Sequence, residues 1–368
     1  MRILVIKMSS MGDVVHMLPA VTDLAAQGDE IHWVVEEAFV PIVRAHPSVT
    51  RVIPIAWRRW RQALSQLVTP RARAAWSELK AFKEAVRSTQ YDIVIDAQGL
   101  YKSAIVTRWA DAPVKVGFDR ETVRERGASR FYTEGAPVAV DQHAVDRLRS
   151  LCALAAGYTV PQPPRFGIER TSDPNRAPVA LLLHGTSWPS KEYPEAHWIA
   201  LGRTAQAQGY RIVMTWGDDV ERQRAERIAA GIRASGETHA EAATLWDRMA
   251  LDALIQRLNE VSVVIGVDSG IGHLAAALGI PSIGLFGASD AQRTGLRGRY
   301  ARDLSPDFAC APCLSRVCRY QGEPVRIDGV AARPACLAGL TSAAVWQAAE
   351  ALLAQRRRQL NGAAVGSP

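Results

Sequence analysis

Apolar positions along the first third of the chain recur in two rhythms. Short, mostly apolar runs at 2–6, 31–35, 52–55, 92–96 and 114–117 read as buried strands. Between them the spacing lengthens to three and four. Val14, Met17, Leu18, Val21 and Ala25 mark one face of a helix over 14–26, and Trp76, Leu79, Phe82 and Val86 the stripe of another over 73–87. A third helix is expected at 100–110. Strands alternating with helices predict a parallel sheet covered on both faces.

Pro161, Pro163, Pro164, Pro174 and Pro178 then interrupt the pattern, because proline cannot sustain either ladder. The same alternation restarts with strands at 179–183, 210–215, 262–267 and 282–286. Helices are expected at 195–208, 220–234, 252–259 and 272–278. A last helix over about 342–355 ends in Arg356, Arg357 and Arg358, and the small, polar tail from Asn361 reads as disordered. The fold class is therefore α/β, with two Rossmann-like, doubly wound domains facing a cleft. The expected divisions are a first domain at 1–165, a linker at 166–178, a second domain at 179–340, a terminal helix at 341–360 and a tail at 361–368. In such sheets ligands gather at the carboxyl ends of strands.

With 368 residues, 48% of them hydrophobic and 22% charged, the chain can bury two ordinary cores. The net charge of +7 and pI near 9.3 favour an anionic partner: a nucleic acid, an acidic membrane face or a phosphorylated substrate. After Met1 and Arg2 the apolar run stops at Lys7, short of a signal-peptide core, and no stretch reaches the roughly 20 apolar residues of a membrane span. The expectation is a cytoplasmic protein that touches a membrane peripherally at most. Neither a GxGxxG fingerprint nor a GxxxxGK[ST] loop is present, which argues against an ordinary dehydrogenase, kinase or ATPase.

Candidate chemistry lies where strands end. In Ser9-Ser10-Met11-Gly12-Asp13, Gly12 allows a tight turn, and Asp13 is either a helix N-cap or a carboxylate placed to take a proton from an acceptor hydroxyl. His16, one helical turn on, is the alternative base. The segment from His184 and Gly185 through Thr186 and Ser187 to Lys191 suits a diphosphate, or is a polar surface loop. Asp268-Ser269-Gly270-Ile271-Gly272-His273 joins a strand to a helix whose free N–H groups attract an anion. Asp268 or Ser269 as a simple cap is the plainer reading. Glu221, after Trp216-Gly217-Asp218, either bonds a ribose diol or complements a helix start. The basic, aromatic run Trp57-Arg58-Arg59-Trp60-Arg61, with Arg71, Arg73, Arg120, Arg124, Arg126 and Arg130, fits an anionic lipid-linked ligand, a nucleic acid or a solvated face. Cys310, Cys313, Cys318 and Cys336 are spaced C-x2-C-x4-C-x17-C, which fits a zinc site or reduced structural thiols; Cys152 reads as a core residue.

Four segments carry a resemblance: "MRILVIKMSSMGDVVHMLPAVTDL", "YDIVIDAQGLYKSAIVTRWA", "QHAVDRLRSLCALAAGY" and "VVIGVDSGIGHLAAALGIPSIGLFG". Through them the chain, from residue 1 to about 290, resembles the lipopolysaccharide heptosyltransferases of glycosyltransferase family nine, its "AQGLYKSA" and "QHAVDR" segments being most like the type-I branch. The resemblance implies the GT-B architecture, with the last helix packing back on the first domain. It also implies inverting transfer of L-glycero-D-manno-heptose from ADP-heptose to the Kdo of Kdo-lipid A. It makes Asp13 the general base and matches Thr186, Ser187 and Lys191 to the donor phosphates. Glu221 matches the ribose acid, and Asp268, Ser269, Gly270, Ile271 and His273 the donor turn. Arg120, His143 and Arg147, with Lys7 and Arg61 more loosely, fall where acceptor contacts are expected. Thr186-Ser187 and Asp268-Ser269-Gly270 stand where relatives often carry Thr-Thr and Asp-Thr-Gly, and both changes keep the hydroxyl. No cofactor, metal or nucleic acid is assigned, and the four late cysteines are expected to be dispensable for transfer. An epimerase on the same architecture is the rival enzyme, and a nucleic-acid-binding protein the rival from another class.

Overall fold

The computed structural model describes residues 1–65, 69–168, 170, 176–234 and 243–365, with the backbone alone for 361–365. The chain divides into two units, Met1–Ile168 and Glu169–Pro368. Strands of the first are β1 (Arg2–Ile6), β2 (Glu30–Glu36), β3 (Val49–Ile55), β4 (Ile93–Asp96), β5 (Val114–Phe118) and β6 (Glu134–Ala136), ordered β3-β2-β1-β4-β5-β6 and parallel throughout. The second holds β7 (Val179–Leu183), β8 (Arg211–Met214), β9 (Ala243–Leu245), β10 (Val263–Val267), β11 (Ser282–Leu285) and β12 (Ala301–Leu304), ordered β12-β11-β10-β7-β8-β9 and also parallel. Both are doubly wound sheets. Strand order reverses between β1 and β4 in the first and between β7 and β10 in the second, the switch points where such folds bind ligands.

Central strands are buried on both faces, which is why they read as continuous apolar runs. Every residue of β7 and β10 is buried, as are Ile3, Leu4, Val5 and Ile6 of β1. Gly266 in β10 lies against Leu183 of β7, and a side chain there would stand 2.7 Å from the leucine Cβ. Helix Met11–Ala25 is covered almost all round, with Val14, Val15, Met17, Leu18, Val21 and Leu24 inside. Its Asp23 forms a buried ion pair with Arg149 of helix Ala144–Ala156, at 2.6 Å. Arg149, part of the QHAVDR-containing segment, is thus a structural residue.

Four expectations change. Trp76 is 60% exposed. The buried stripe of helix Pro70–Arg87 is Ala72, Ala75, Phe82 and Val86, with Leu79 partly buried; Trp76 follows Ala75 and is turned about 100° away. Gly12 does not shape a turn, because the helix has already begun at Met11 and Gly12 is its second residue. Phe166 and Ile168, assigned to the linker, are buried in the first unit, while Glu169 and 171–175 lie outside the described residues. The last helix runs Ser342–Val365, through much of the expected tail, and 366–368 are outside the described residues. Its Val345, Trp346, Ala349, Leu352 and Leu353 belong to the second unit's core, each large side chain contributing about 1.5–3 kcal/mol by burial.

Candidate functional site

In the first unit the chain leaves β1 through Lys7 and Met8 and enters helix Met11–Ala25 with Ser10 as N-cap. Asp13 is therefore the third helical residue and not the cap. Its Oδ2 accepts from the Ser10 N–H at 2.8 Å and the Ser10 hydroxyl at 2.9 Å, and its Oδ1 lies 3.2 Å from Lys7 Nζ. Burial pushes this carboxyl up, but Lys7, the Ser10 bonds and His16 outweigh it and hold Asp13 well below the usual carboxylate range. Lys7 is buried and also donates to Ala97 O at 3.1 Å. Strand β4 thus braces the site from the other side of the switch point.

The brace continues in residues that the sequence reading passed over. Gln98 Oε1 accepts the N–H groups of Met8 at 3.0 Å and Ser9 at 3.1 Å, fixing the turn. Lys102 Nζ donates to Ser9 Oγ at 3.0 Å, and burial lowers its pKa. Asp96 accepts from Tyr132 at 2.8 Å and from the N–H groups of Gln98 and Gly99, with burial raising its pKa. The run Asp96-Ala97-Gln98-Gly99 after a buried strand was the available signal.

Of the expected acceptor residues, His143 joins this group. It caps helix Ala144–Ala156 by accepting the Val145 N–H on Nδ1, and its ring lies edge-on to His16, 5.7 Å between centroids. Arg147 stacks on Phe118 and donates to Thr122 O at 3.1 Å. Arg120 is exposed in the turn that follows β5. Arg61 is exposed on helix Trp57–Leu64. The lipid-interface reading of that helix is corrected. Trp60 is buried against Phe82 and donates to Glu78 at 2.7 Å, and Arg59 is paired with Glu37 and Glu78. Trp60 packs inward because helix Pro70–Arg87 offers it both a ring and a carboxylate.

In the second unit, Lys191 Nζ stands 2.6 Å from Asp268 Oδ2, and His273 Nε2 is 3.3 Å from Asp268 Oδ1. Burial raises the Asp268 carboxyl, but His273 and Lys191 outweigh it and hold it well below the usual range. Lys191 also sits 4.4 Å above the Trp188 ring. Ser269 is the N-cap of helix Gly270–Ala277 and accepts the Gly272 N–H at 3.4 Å. Gly270 and Ile271 form the first turn, whose free N–H groups and dipole favour an anion. Thr186 accepts the Trp188 N–H at 3.4 Å, and Ser187 is exposed. Glu221 accepts the Gly217 N–H at 2.7 Å, and its Oε1 lies so close to Gly185 that a Cβ there would be 2.6 Å away. The structure thus gathers Lys191, Asp268 and His273 into one cluster and Gly185, Gly217 and Glu221 into another.

A link that sequence could not reveal joins this site to the cysteine segment. Ser190, buried in the turn Pro189–Lys191, donates its N–H to Arg316 O at 3.2 Å and its hydroxyl to Ser315 O. Among the described residues no three His, Cys, Asp or Glu side chains already stand at coordination spacing, and no helix is long and apolar enough to cross a membrane.

The family model for glycosyltransferase family 9 (heptosyltransferase) matches residues 79–323. The chain is 43% identical over 328 residues to lipopolysaccharide heptosyltransferase 1 of Pseudomonas aeruginosa, covering 87% of this chain and 88% of that one. Its fold is similar to the Escherichia coli heptosyltransferase WaaC with ADP, with a TM-score of 0.78, 37% identity and 96% and 100% of the two chains covered. It is also similar to the same enzyme with ADP-2-deoxy-2-fluoro heptose, with a TM-score of 0.74, 36% identity and 94% and 98% covered.

Proposed function

This chain belongs to glycosyltransferase family 9 and acts as a heptosyltransferase of lipopolysaccharide inner-core assembly with ADP-heptose as donor, and from that premise we propose that its acceptor is the Kdo sugar of Kdo-lipid A. The observation that carries the site assignment is the cluster of Lys191, Asp268 and His273 at the N-terminus of helix Gly270–Ala277. There an ammonium and free backbone N–H groups meet, the chemistry a leaving diphosphate requires.

In this scheme Asp13 takes the proton from the acceptor hydroxyl. The acceptor oxygen bonds to the anomeric carbon from the face opposite ADP, so the configuration inverts. The carbon–oxygen bond to the diphosphate breaks, and ADP departs with the electron pair. Lys191, Thr186, Ser187 and the N–H groups after Ser269 bind the charge that develops on it. Glu221, with Gly185 and Gly217, receives the ribose diol. Lys7, Arg120, His143 and Arg147 supply positive charge and hydrogen-bond donors for an anionic acceptor, with Arg61 at longer reach. No cofactor takes part in these steps. The enzyme works in the cytoplasm at the inner membrane face, an assignment supported by the net positive charge and by the acceptor's lipid anchor.

The test is product analysis with ADP-heptose and Kdo-lipid A. Equimolar ADP and singly heptosylated Kdo-lipid A are expected. Conversion of ADP-heptose without acceptor would favour an epimerase, and turnover only with a different acceptor would overturn the Kdo assignment.

A further inference from the structure

Outside the transfer site the chain gathers four thiols. Cys336 is buried on the short helix Ala335–Ala338, and Cys310, Cys313 and Cys318 lie on the preceding loop. Two contacts draw the loop and the helix to one place. A side chain on Gly287 would stand 3.0 Å from Cys336 Sγ, and the next residue, Ala288, accepts the N–H of Leu314 at 2.8 Å. Cys313 and Cys336 therefore approach the same dipeptide. Leu314 holds a left-handed backbone, φ 53°, which is unusual for a large side chain and reverses the chain just past Cys313. The Phe308 and Tyr320 rings meet edge to face at 4.9 Å and close the segment, each two residues outside a cysteine.

We propose that Cys310, Cys313, Cys318 and Cys336 form a four-thiolate site for a soft transition-metal ion of the zinc or iron class, which pins the 310–318 loop. The C-x2-C pair supplies two ligands from one turn, and tetrahedral thiolate sites need sulfurs at about 2.3 Å from the metal. As the side chains stand, no three His, Cys, Asp or Glu among the described residues form a group that could hold a metal ion, so the site requires the thiols to turn inward. Rotation about χ1 moves a cysteine sulfur by about 3 Å, and Cys310 and Cys313 are exposed and free to make it. A divalent ion held by four thiolates releases the thiol protons and leaves a net charge of −2 close in sequence to Arg316 and Arg319.

The consequence for transfer rests on the donor reading given above. Ser315 and Arg316 hold Ser190 by their carbonyls, and the Arg316 guanidinium lies 5.6 Å from the Trp188 ring that also carries Lys191. An ordered loop therefore positions Lys191.

The experiment is metal analysis of tag-free protein purified without chelator. About one equivalent of zinc or iron per chain is expected, and less than about a tenth of that in C310S/C313S. Cobalt(II) loading should give thiolate-to-cobalt charge-transfer absorption in the parent and not in the variant. Should that variant fail to fold, C318S and chelator extraction of the parent read the same loss. Absence of metal above blank, both as purified and after reloading with zinc or ferrous iron under reducing conditions, overturns the site. Metal removal should also raise the donor KM about tenfold and leave the acceptor KM unchanged. A donor KM indifferent to metal content severs the link to Lys191 while leaving the site. Failure of the donor reading is distinct, because ADP-heptose would then go unused by the metal-loaded enzyme.

Discussion

Each unit places a lysine–aspartate pair beside its switch point, and the two pairs run in opposite senses. In the first, Lys7 directly follows β1 and is the covered partner at 7% side-chain exposure, while Asp13 comes from the helix and is 36% exposed. In the second, Asp268 directly follows β10, and Lys191 arrives from the turn after β7, with exposures of 12% and 15%. The residue next to the strand is in each case a fixed post, and its partner from the turn or helix is the working group. Identical strand order thus serves a proton acceptor in one unit and a phosphate-binding cation in the other. Which charge sits on the post decides the difference.

The largest expected effect comes from removing the working group of the first pair. Asparagine at position 13 keeps one oxygen for Ser10 but takes up no proton. Asp13→Asn should lower turnover by about 100- to 10,000-fold with ADP-heptose binding intact. Loss of the partly exposed pair with Lys7 should cost about 1–2 kcal/mol of stability, because Ala97 O still holds the ammonium. Steady-state kinetics and urea unfolding check both figures. Retention of a tenth or more of parental turnover would return the proton to His16.

Next comes the working group of the second pair. Lys191→Ala should reduce kcat/KM for the donor by about 30- to 1000-fold, with acceptor affinity nearly unchanged. Asp268→Asn sharpens the comparison, since it removes the post and leaves the ammonium in place. A smaller loss than Lys191→Ala, concentrated in donor KM, is expected from paired titrations of donor and acceptor. Equal losses in the two variants would make Asp268 more than a post.

How much of this was legible depended on locality. Strands β1 and β7 were read to the residue, because both faces are buried and the apolar run is bounded by charge or proline. The edge strands β6 (Glu134–Ala136), β9 (Ala243–Leu245) and β12 (Ala301–Leu304) were missed, since three or four residues, with Glu134, Arg302 and Asp303 among them, make too short a run to read. The turns after β1, β7, β8 and β10 were read as candidates because each follows a strand directly, while the turn at Asp96–Gly99 after β4 was passed over. The partners inside the turns were not read. Lys7 was expected to meet an acceptor, and its pairing with Asp13 depends on how helix Met11–Ala25 leaves β1. Gln98 and Lys102 reach the same turn from 90 residues away along the chain, by β1–β4 pairing that no local pattern encodes. The bonds from Ser190 to the cysteine loop span more than 120 residues and were equally hidden.

A subtler change tests whether the post of the first pair sets the basicity of its partner. Lys7→Met removes the ammonium, and the upward push of burial on Asp13 is then less opposed. The carboxyl should take up a proton at higher pH than in the parent. The acid limb of kcat/KM for the donor, measured at saturating acceptor, should therefore move up by about one to two units. An acid limb that stays in place in Lys7→Met would mean that Asp13 is not the group whose ionisation the rate reports.

The smallest expected effect concerns one buried histidine in each unit. Burial pushes His46 in the first and His184 in the second down to about 4. His46 accepts the Ser48 N–H on Nδ1 at 3.3 Å, so Nε2 carries the proton and donates to Thr22 Oγ1 at 2.9 Å; the Thr22 hydroxyl in turn donates to Leu18 O. A charged ring would need a second donor site at Nδ1, which already faces an N–H. Between the ordinary histidine value and about 4 the unfolded chain binds the proton and the folded chain does not, so the stabilisation is complete above pH 6.5 and is lost as pH falls toward 4. Each histidine should contribute about 2 kcal/mol to that acid loss. Asp303, pushed up to about 6 by burial, acts in the opposite sense and lessens the slope. Urea unfolding at pH 7 and pH 4.5 should show the parent losing stability toward acid. His46→Gln should start lower at pH 7 but lose less on acidification, by the share assigned to His46. An unchanged slope in that variant would mean that His46 does not carry the share of acid sensitivity assigned to it.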